Sequence, residues 1–303
     1  MKRIGSCLFA ASAAFALIAA DAPRRPDPVD PAQVDIETVE LAPGVAVLYG
    51  RGGNIGVSYG ADGVVLIDDQ HAPLTDKITA ATKALNSGAV RFVVNTHWHF
   101  DHTGGNENLG KGGAVIVAHD NVRTRMSTDQ VIEALNYAFP PSPQDALPVI
   151  TFTEGVTFHL NNDTLTVFHT APGHTDGDSM VKWETANVLH AGDVFNRSGV
   201  PFVDMSSGGT VSGMIEAMTT AISMSDENTI AIPGHGPVGT YADMVAYRDG
   251  IKTVLERVKA EHAAGKSLEQ ILALGLEWPH AASGPVSADR LVQAAYADVA
   301  GGN

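Results

Sequence analysis

Within NTHWHFDHTGG, residues 95–105, three imidazoles and a carboxylate, His97, His99, Asp101 and His102, fall in six positions directly after the apolar run RFVV. Imidazole nitrogen and carboxylate oxygen are ligand atoms that zinc and related divalent cations accept. Side chains two residues apart point about 200° apart on a helix, so the spacing predicts a strand exit running into a loop. Chance would give H-x-H-x-D-H in roughly one chain in a thousand of this composition, which makes coincidence a weak competitor. Three more residues of the same chemistry sit at turn-rich strand ends, each directly after a glycine: His174 in APGHTDGDS, Asp193 in LHAGDVF and His235 in IPGHGP. Glycine permits the tight turns that would aim such side chains at a shared centre. His71, His119, His159, His169, His190, His262 and His280 lack such a context and read as packing or surface residues, with His119 expected at a helix start. Trp98 and Phe100, between the ligand candidates, divide between packing and a pocket rim.

The chain's one cysteine, Cys7, lies in MKRIGSCLFAASAAFALIAADAPRRPDP. Basic Lys2 and Arg3, a short apolar stretch and small residues near its end predict a secretory signal peptide over 1–22. A Pro- and Asp-rich linker follows over 23–33. The expected mature chain is periplasmic or secreted, without a membrane anchor and without cysteine, so any metal must be held by nitrogen and oxygen. With 19 Lys and Arg against 34 Asp and Glu, a formal charge of −15, nucleic acid is excluded as a partner.

Strands and helices that could position these groups are marked along the chain. VDIETVEL, VAVLYG, IGVSYG and GVVLIDD are short β-branched runs cut by turn residues, the pattern of consecutive antiparallel strands. PLTDKITAATKALNSG reads as a helix ending at Gly88, and RFVVNT as a strand. AVIVAH, VITF, VTFHL, LTVFHT, SMVKWE, NVLHAGD and TIAIPG are further strands. Helices are expected over 120–138, about 211–224, about 239–263 and twice in the tail beyond 267. Two meanders interleaved with helices predict an α/β sandwich of sheets, in a single domain over 34–303 with a C-terminal helical extension.

From about residue 34 to 250, the order and spacing of HWHFDH, GHT, GD and GHG, supported by VVLIDD, resemble the metallo-β-lactamase superfamily. The resemblance implies a four-layer αββα sandwich with a two-metal site at one edge between the sheets. It matches His97, His99 and His174 to a first zinc, Asp101, His102 and His235 to a second, and Asp193 to the bridging aspartate of the glyoxalase-like majority. Two Zn2+ are the expected cofactors, with iron or manganese as alternatives. Asp68 is the expected partner of a ligating imidazole, and Arg197 a candidate to receive a substrate carboxylate. Asp193 departs from the best-studied β-lactamase subclasses, one of which carries a cysteine near this position. In the implied mechanism a hydroxide bridging the metals attacks a small-molecule carbonyl, with Asp101 and Asp193 as the catalytic carboxylates. The leading expectation is an exported dizinc hydrolase opening a cyclic amide, a β-lactam first. Hydrolysis of a thioester, lactone or other ester follows, then a mononuclear iron oxygenase, and last a non-catalytic metal- or partner-binding protein. Selectivity is expected in loops 50–54 and 196–210 and in the 126–148 insert, and the 267–303 tail is expected to cover the site, extend the sandwich or form a dimer contact.

Overall fold

The computed structural model describes residues 22–85, 88–280 and 286–301, so the expected signal peptide, but for Ala22, lies outside the described residues. The first four β-branched runs form an antiparallel meander, β1 (Glu37–Ala42), β2 (Val45–Tyr49), β3 (Ile55–Gly60) and β4 (Gly63–Ile67). Helix α1 (Thr75–Leu85) carries the chain over to β5 (Val90–Val94), parallel to β4. Two short helices, α2 (Phe100–Thr103) and α3 (Asn106–Lys111), precede β6 (Val115–His119), parallel to β5. Then come α4 (Asp120–Met126), the hairpin β7 (Gln130–Ile132) and β8 (Tyr137–Phe139), and β9 (Ile150–Phe152), which closes the first sheet beside β6.

The second sheet runs β10 (Gly155–Leu160), β11 (Asp163–His169), β12 (Ser179–Trp183), β13 (Val188–His190), β14 (Ile230–Ile232) and β15 (Gly239–Thr240). Helix α5 (Val211–Ser223) makes the crossover that sets β14 parallel to β13. The long α6 (Tyr241–Ala263) follows β15, and α7 (Leu268–Leu272) and α8 (Ala288–Gly301) complete the chain.

The period of two along each strand explains the layers. Val45, Val47, Val65, Ile67 and Val94 face the second sheet and meet Leu165, Val167, Val181, Trp183 and Ile232 there. Their neighbours Ala46, Leu48, Val64, Leu66 and Val93 face the other way, onto Leu74, Ile78 and Leu109 of the helical segments. The outer face of the second sheet packs on α5, α6, α7 and α8 through residues such as Leu189, Met214, Met218, Ile251, Ile271 and Leu291. The order is helices, sheet, sheet, helices: the expected αββα sandwich. The tail extends the outer helical layer.

Three local expectations change. The helix expected over 120–138 stops at Met126, because residues 130–139 pair as a hairpin whose Ile132 is buried against Trp98, Val122 and Met126. Helical spacing of its apolar residues was outweighed by that tertiary contact. The linker is tied down: the Arg24 N–H donates to the Asn136 carbonyl and the Ala138 N–H to that of Arg24, adding an edge to the hairpin. The H-x-H-x-D-H segment is a loop only as far as His99, and Asp101 and His102 lie in α2. No described helix is long and apolar enough to cross a membrane.

Trp183 is fully buried where the sheets face each other. Trp183→Ala is expected to destabilise the fold by about 3–5 kcal/mol, read from chemical denaturation at constant m-value.

Candidate metal centre

Parallel pairing puts the carboxyl ends of β4 and β5, and those of β13 and β14, at one edge of the sandwich, where side chains leave strand ends without obstruction. Asp68 follows β4, His97 and His99 follow β5, His174 lies between β11 and β12, Asp193 follows β13, and His235 follows β14. All seven expected metal residues come together. The ligand atoms of His97, His99 and His174 lie within 4.8 Å of one another, as do those of Asp101, His102 and His235, and His97 and His102 form a third such group with Asp193.

The hydrogen-bond network assigns the imidazole tautomers, and this decides what the cluster can hold. Thr96 Oγ1 donates to Asp68 Oδ2, so the 3.0 Å contact between that hydroxyl and His97 Nδ1 has the imidazole donating. His99 Nε2 donates to Asp204 Oδ2 at 2.9 Å, and His174 Nδ1 to the Phe202 carbonyl at 2.7 Å. With their protons pinned outward, the neutral imidazoles turn lone pairs inward. His174 Nε2 and His99 Nδ1 meet at 2.8 Å, and His97 Nε2 is buried with no hydrogen-bond partner. Acceptors crowded in a dry interior, each costing about 1–3 kcal/mol when unsatisfied, fit a cation and little else.

The second group is built from α2 and the turn after β14. His102 Nδ1 donates to Asp68 Oδ2 at 2.8 Å, which directs His102 Nε2 to His235 Nε2 at 3.3 Å. Asp101 Oδ2 lies 3.4 Å from His235 Nε2. Asp193 stands between the groups: Oδ1 is 3.2 Å from His102 Nε2 and 3.4 Å from His235 Nε2, while Oδ2 is 3.6 Å from His174 Nε2.

Electrostatics separates the two halves. Burial, reinforced by neighbouring imidazoles, holds His97 well below its ordinary pKa and brings His174 down to about 4. Burial would lower His102 too, but Asp193, Asp101 and Asp68 outweigh it and raise its pKa well above the ordinary value. His235 is raised for the same reason, chiefly by Asp193. Burial would raise Asp193 and Asp101, yet His235 and His102 pull both carboxyls below the usual range. Without metal, burial thus favours the neutral form of His97 and His174, while the surrounding carboxylates favour the protonated form of His102 and His235.

Some participants were not visible in the sequence. Asp204, fully buried in FVDMSS, carries no motif, yet it accepts from His99, Ser206 and Ser207 and is held far below the carboxylate range despite burial. Asp178 accepts from the His174 and Thr175 N–H groups and fixes the His174 turn; its place four residues after a candidate ligand was the only signal. Asp68 is where it was expected, with a positive φ of 64° that Asp tolerates better than most residues. The glycines act differently from expectation. Gly192 has φ 52°, but Gly234 has no positive φ and is needed for space, since a Cβ there would overlap the Asp193 carboxylate. Arg197 is not brought to the centre: its guanidinium bonds the Pro237 and Val238 carbonyls and pairs with Asp243 at 3.3 Å. His119 caps α4 and stacks on His169 with ring centroids 3.8 Å apart.

Comparison with known proteins agrees with this geometry. The sequence profile described as the metallo-beta-lactamase superfamily matches residues 48–235. The hydroxyacylglutathione hydrolase of Polaromonas sp. is 28% identical over 167 residues, 54% of this chain and 55% of that protein. The beta-lactamase-like protein 2 homolog of Caenorhabditis elegans is 25% identical over 178 residues, 57% of this chain and 52% of that one. The chain thus spans about half the length of the curated relatives it matches. Among solved structures, a metallo-beta-lactamase from Pontibacter korlensis aligns with a TM-score of 0.57 at 19% identity, covering 71% of this chain and 99% of that one. The DIM-1 metallo-beta-lactamase aligns at 0.58 and 17%, covering 73% and 99%. These likenesses show a shared fold.

Two outcomes are expected at this centre. Asp204→Asn removes the charge and one of the two oxygens that accept from His99, Ser206 and Ser207, so the His99 tautomer is held less firmly and metal affinity should weaken about 10–100-fold, measured by chelator competition. Metal uptake at pH 7 should release protons from His102 and His235, not from His97 or His174. Calorimetry in buffers of different ionisation enthalpy should show that release with the second equivalent, and affinity for that equivalent should fall as pH falls.

Proposed function

The chain belongs to the metallo-beta-lactamase superfamily, and from that premise we propose that it is an exported two-metal hydrolase of an ester, thioester or lactone bond. The observation that carries this reading is Asp193, whose two carboxylate oxygens face the two ligand groups separately. His97, His99 and His174 would hold one divalent cation, most simply zinc, and Asp101, His102 and His235 the other, with Asp193 reaching both. Bound cations supply Lewis acidity toward the acyl oxygen and bring the pKa of water toward neutrality.

The residues have distinct tasks. Asp68, through His102 and Thr96, and Asp204, through His99, keep the imidazole lone pairs aimed inward, so little reorganisation is needed when charge develops. Asp101 is held ionised by His102 and His235 through Oδ2, which leaves Oδ1 to orient an attacking water and take its proton. Asn196 lines the cavity beside Asp193 and offers a neutral amide to the polarised acyl oxygen. No side-chain nucleophile is required.

Two features favour the ester, thioester or lactone over the β-lactam first expected. Arg197, the residue expected to receive a substrate carboxylate, is engaged with Asp243. The Polaromonas relative, named a hydroxyacylglutathione hydrolase, supports acyl cleavage by a related chain.

The test is turnover of a thioester, a lactone and a penicillin by the purified protein, before and after chelation and after zinc is restored. Loss on chelation and recovery with zinc are expected for the thioester or lactone. Asp193→Asn should lower kcat/KM at least about 100-fold. Undiminished turnover in protein verified to be metal-free would sink the reading, and a penicillin turned over fastest would replace the ester by the cyclic amide.

A further inference from the structure

Beside Asp101, Asp193 and His235 lies a cavity of about 290 Å³. Its walls come from three distant parts of the chain: Ile132, Leu135 and Tyr137 from the β7–β8 hairpin, Val200 and Phe202 from the loop after β13, and Val286 from the tail. The hairpin is a formed wall. Ile132 is fixed in the cluster with Trp98, the Glu133 N–H donates to Ser206 Oγ, and Arg24 pairs along the outer edge. A preformed apolar cavity with a few convergent polar groups at one end is the usual form of a small-molecule site.

The cavity has no lysine or arginine among its described lining residues, and its two histidines, His99 and His235, belong to the ligand groups. Three cations near it, Arg197, Arg24 and Arg125, are engaged elsewhere. Arg197 lines a separate cavity with Tyr247, Trp278 and His280, its guanidinium held by Asp243. Arg24 sits over the Tyr137 ring at 5.2 Å and pairs with Asp27. Arg125 is bound through two nitrogens to the Asp176 carboxylate. The carboxylates that line the cavity, Asp101 and Asp193, are engaged with His102 and His235 of the candidate centre.

Resting on the reading of this site as an acyl hydrolase, we infer that its substrate is electrically neutral and places an apolar acyl chain against the hairpin and the Val200–Phe202 wall. A carboxylate seated on Ile132, Leu135 and Phe202 would lose its hydration with no partner there, whereas each buried methylene adds to affinity. Among the described lining residues an anion would find no lysine or arginine, and bound cations would be engaged by the reacting acyl group. A substrate bearing a carboxylate away from the scissile bond, as a glutathione thioester or a penicillin does, is selected against.

The experiment compares p-nitrophenyl esters of a growing straight chain with an ester of the same length ending in a carboxylate, and another ending in an ammonium. For the metal-loaded full chain, kcat/KM should rise about three- to fourfold per added methylene until the cavity is filled. Either terminal charge should lower it about tenfold or more. A second readout is independent of turnover: calorimetric binding of octanohydroxamic acid should be about tenfold or more tighter than that of suberic acid monohydroxamate. Leu135→Arg and, separately, Val286→Arg should narrow or invert the preference against the carboxylate in both readouts. Equal or better turnover and binding of a charged compound would overturn the inference. If no ester is turned over in a chelator-sensitive way but the neutral hydroxamate still binds selectively, the hydrolase reading fails and the neutral-substrate inference stands. Chelator-sensitive turnover without chain-length or charge preference means the reverse: the site is a hydrolase and its substrate need not be neutral or apolar.

Discussion

The centre depends on a single constraint: imidazole lone pairs aimed at one another inside a dry protein. His97, His99 and His174 each give their proton away from the centre, to a hydroxyl, a carboxylate and a carbonyl, and what remains inside is acceptor facing acceptor at 2.8 Å. In the absence of a cation this arrangement is unfavourable, because each buried unsatisfied acceptor forfeits its hydration. The rest of the sandwich must supply the free energy to hold it, and a metal returns much of it on binding.

That demand explains the conformation around the site. Asp68 and Gln70 take positive φ at the exit of β4, in a region that costs a non-glycine residue about 1–3 kcal/mol. Asp68 there accepts from the Thr96 N–H and hydroxyl and from His102, so one residue orients ligand candidates on two segments. Gly53 and Gly234 leave the volume that the His102 ring and the Asp193 carboxylate fill, so an alanine at either place would displace the groups around which the centre is built. The interdigitated sheets beneath, with Trp183 and its valine neighbours, form the rigid base that such strain requires.

The candidate ligands and the cavity walls come from different layers of this design. The strand ends supply the charged and metal-binding groups, fixed by hydrogen bonds. The hairpin, the loop through Phe202 and the tail supply an apolar wall built from residues outside the candidate ligand groups. Function can therefore vary in this fold through its inserts while the centre stays the same.

Much of this was legible in the chain. H-x-H-x-D-H with the glycine-preceded His174, Asp193 and His235 named the groups that converge, and β-branched runs of period two located most of the strands that carry them. Both are local signals, set by residue type and spacing, and the family resemblance supplied the αββα layering. Asp204 was invisible because its partner His99 lies 105 residues away and an isolated aspartate has no pattern. Residues 130–139 read as helix because their helical spacing is a local property, whereas their pairing and the burial of Ile132 are tertiary. Arg197 stood the right distance from Asp193 in sequence, but the competing carboxylate of Asp243 fixed its direction. The sequence by itself determined which ligand atoms are present and where strands end; only the tertiary structure decided which protons point outward and which side chains wall the cavity, because those outcomes depend on contacts between residues far apart in the chain.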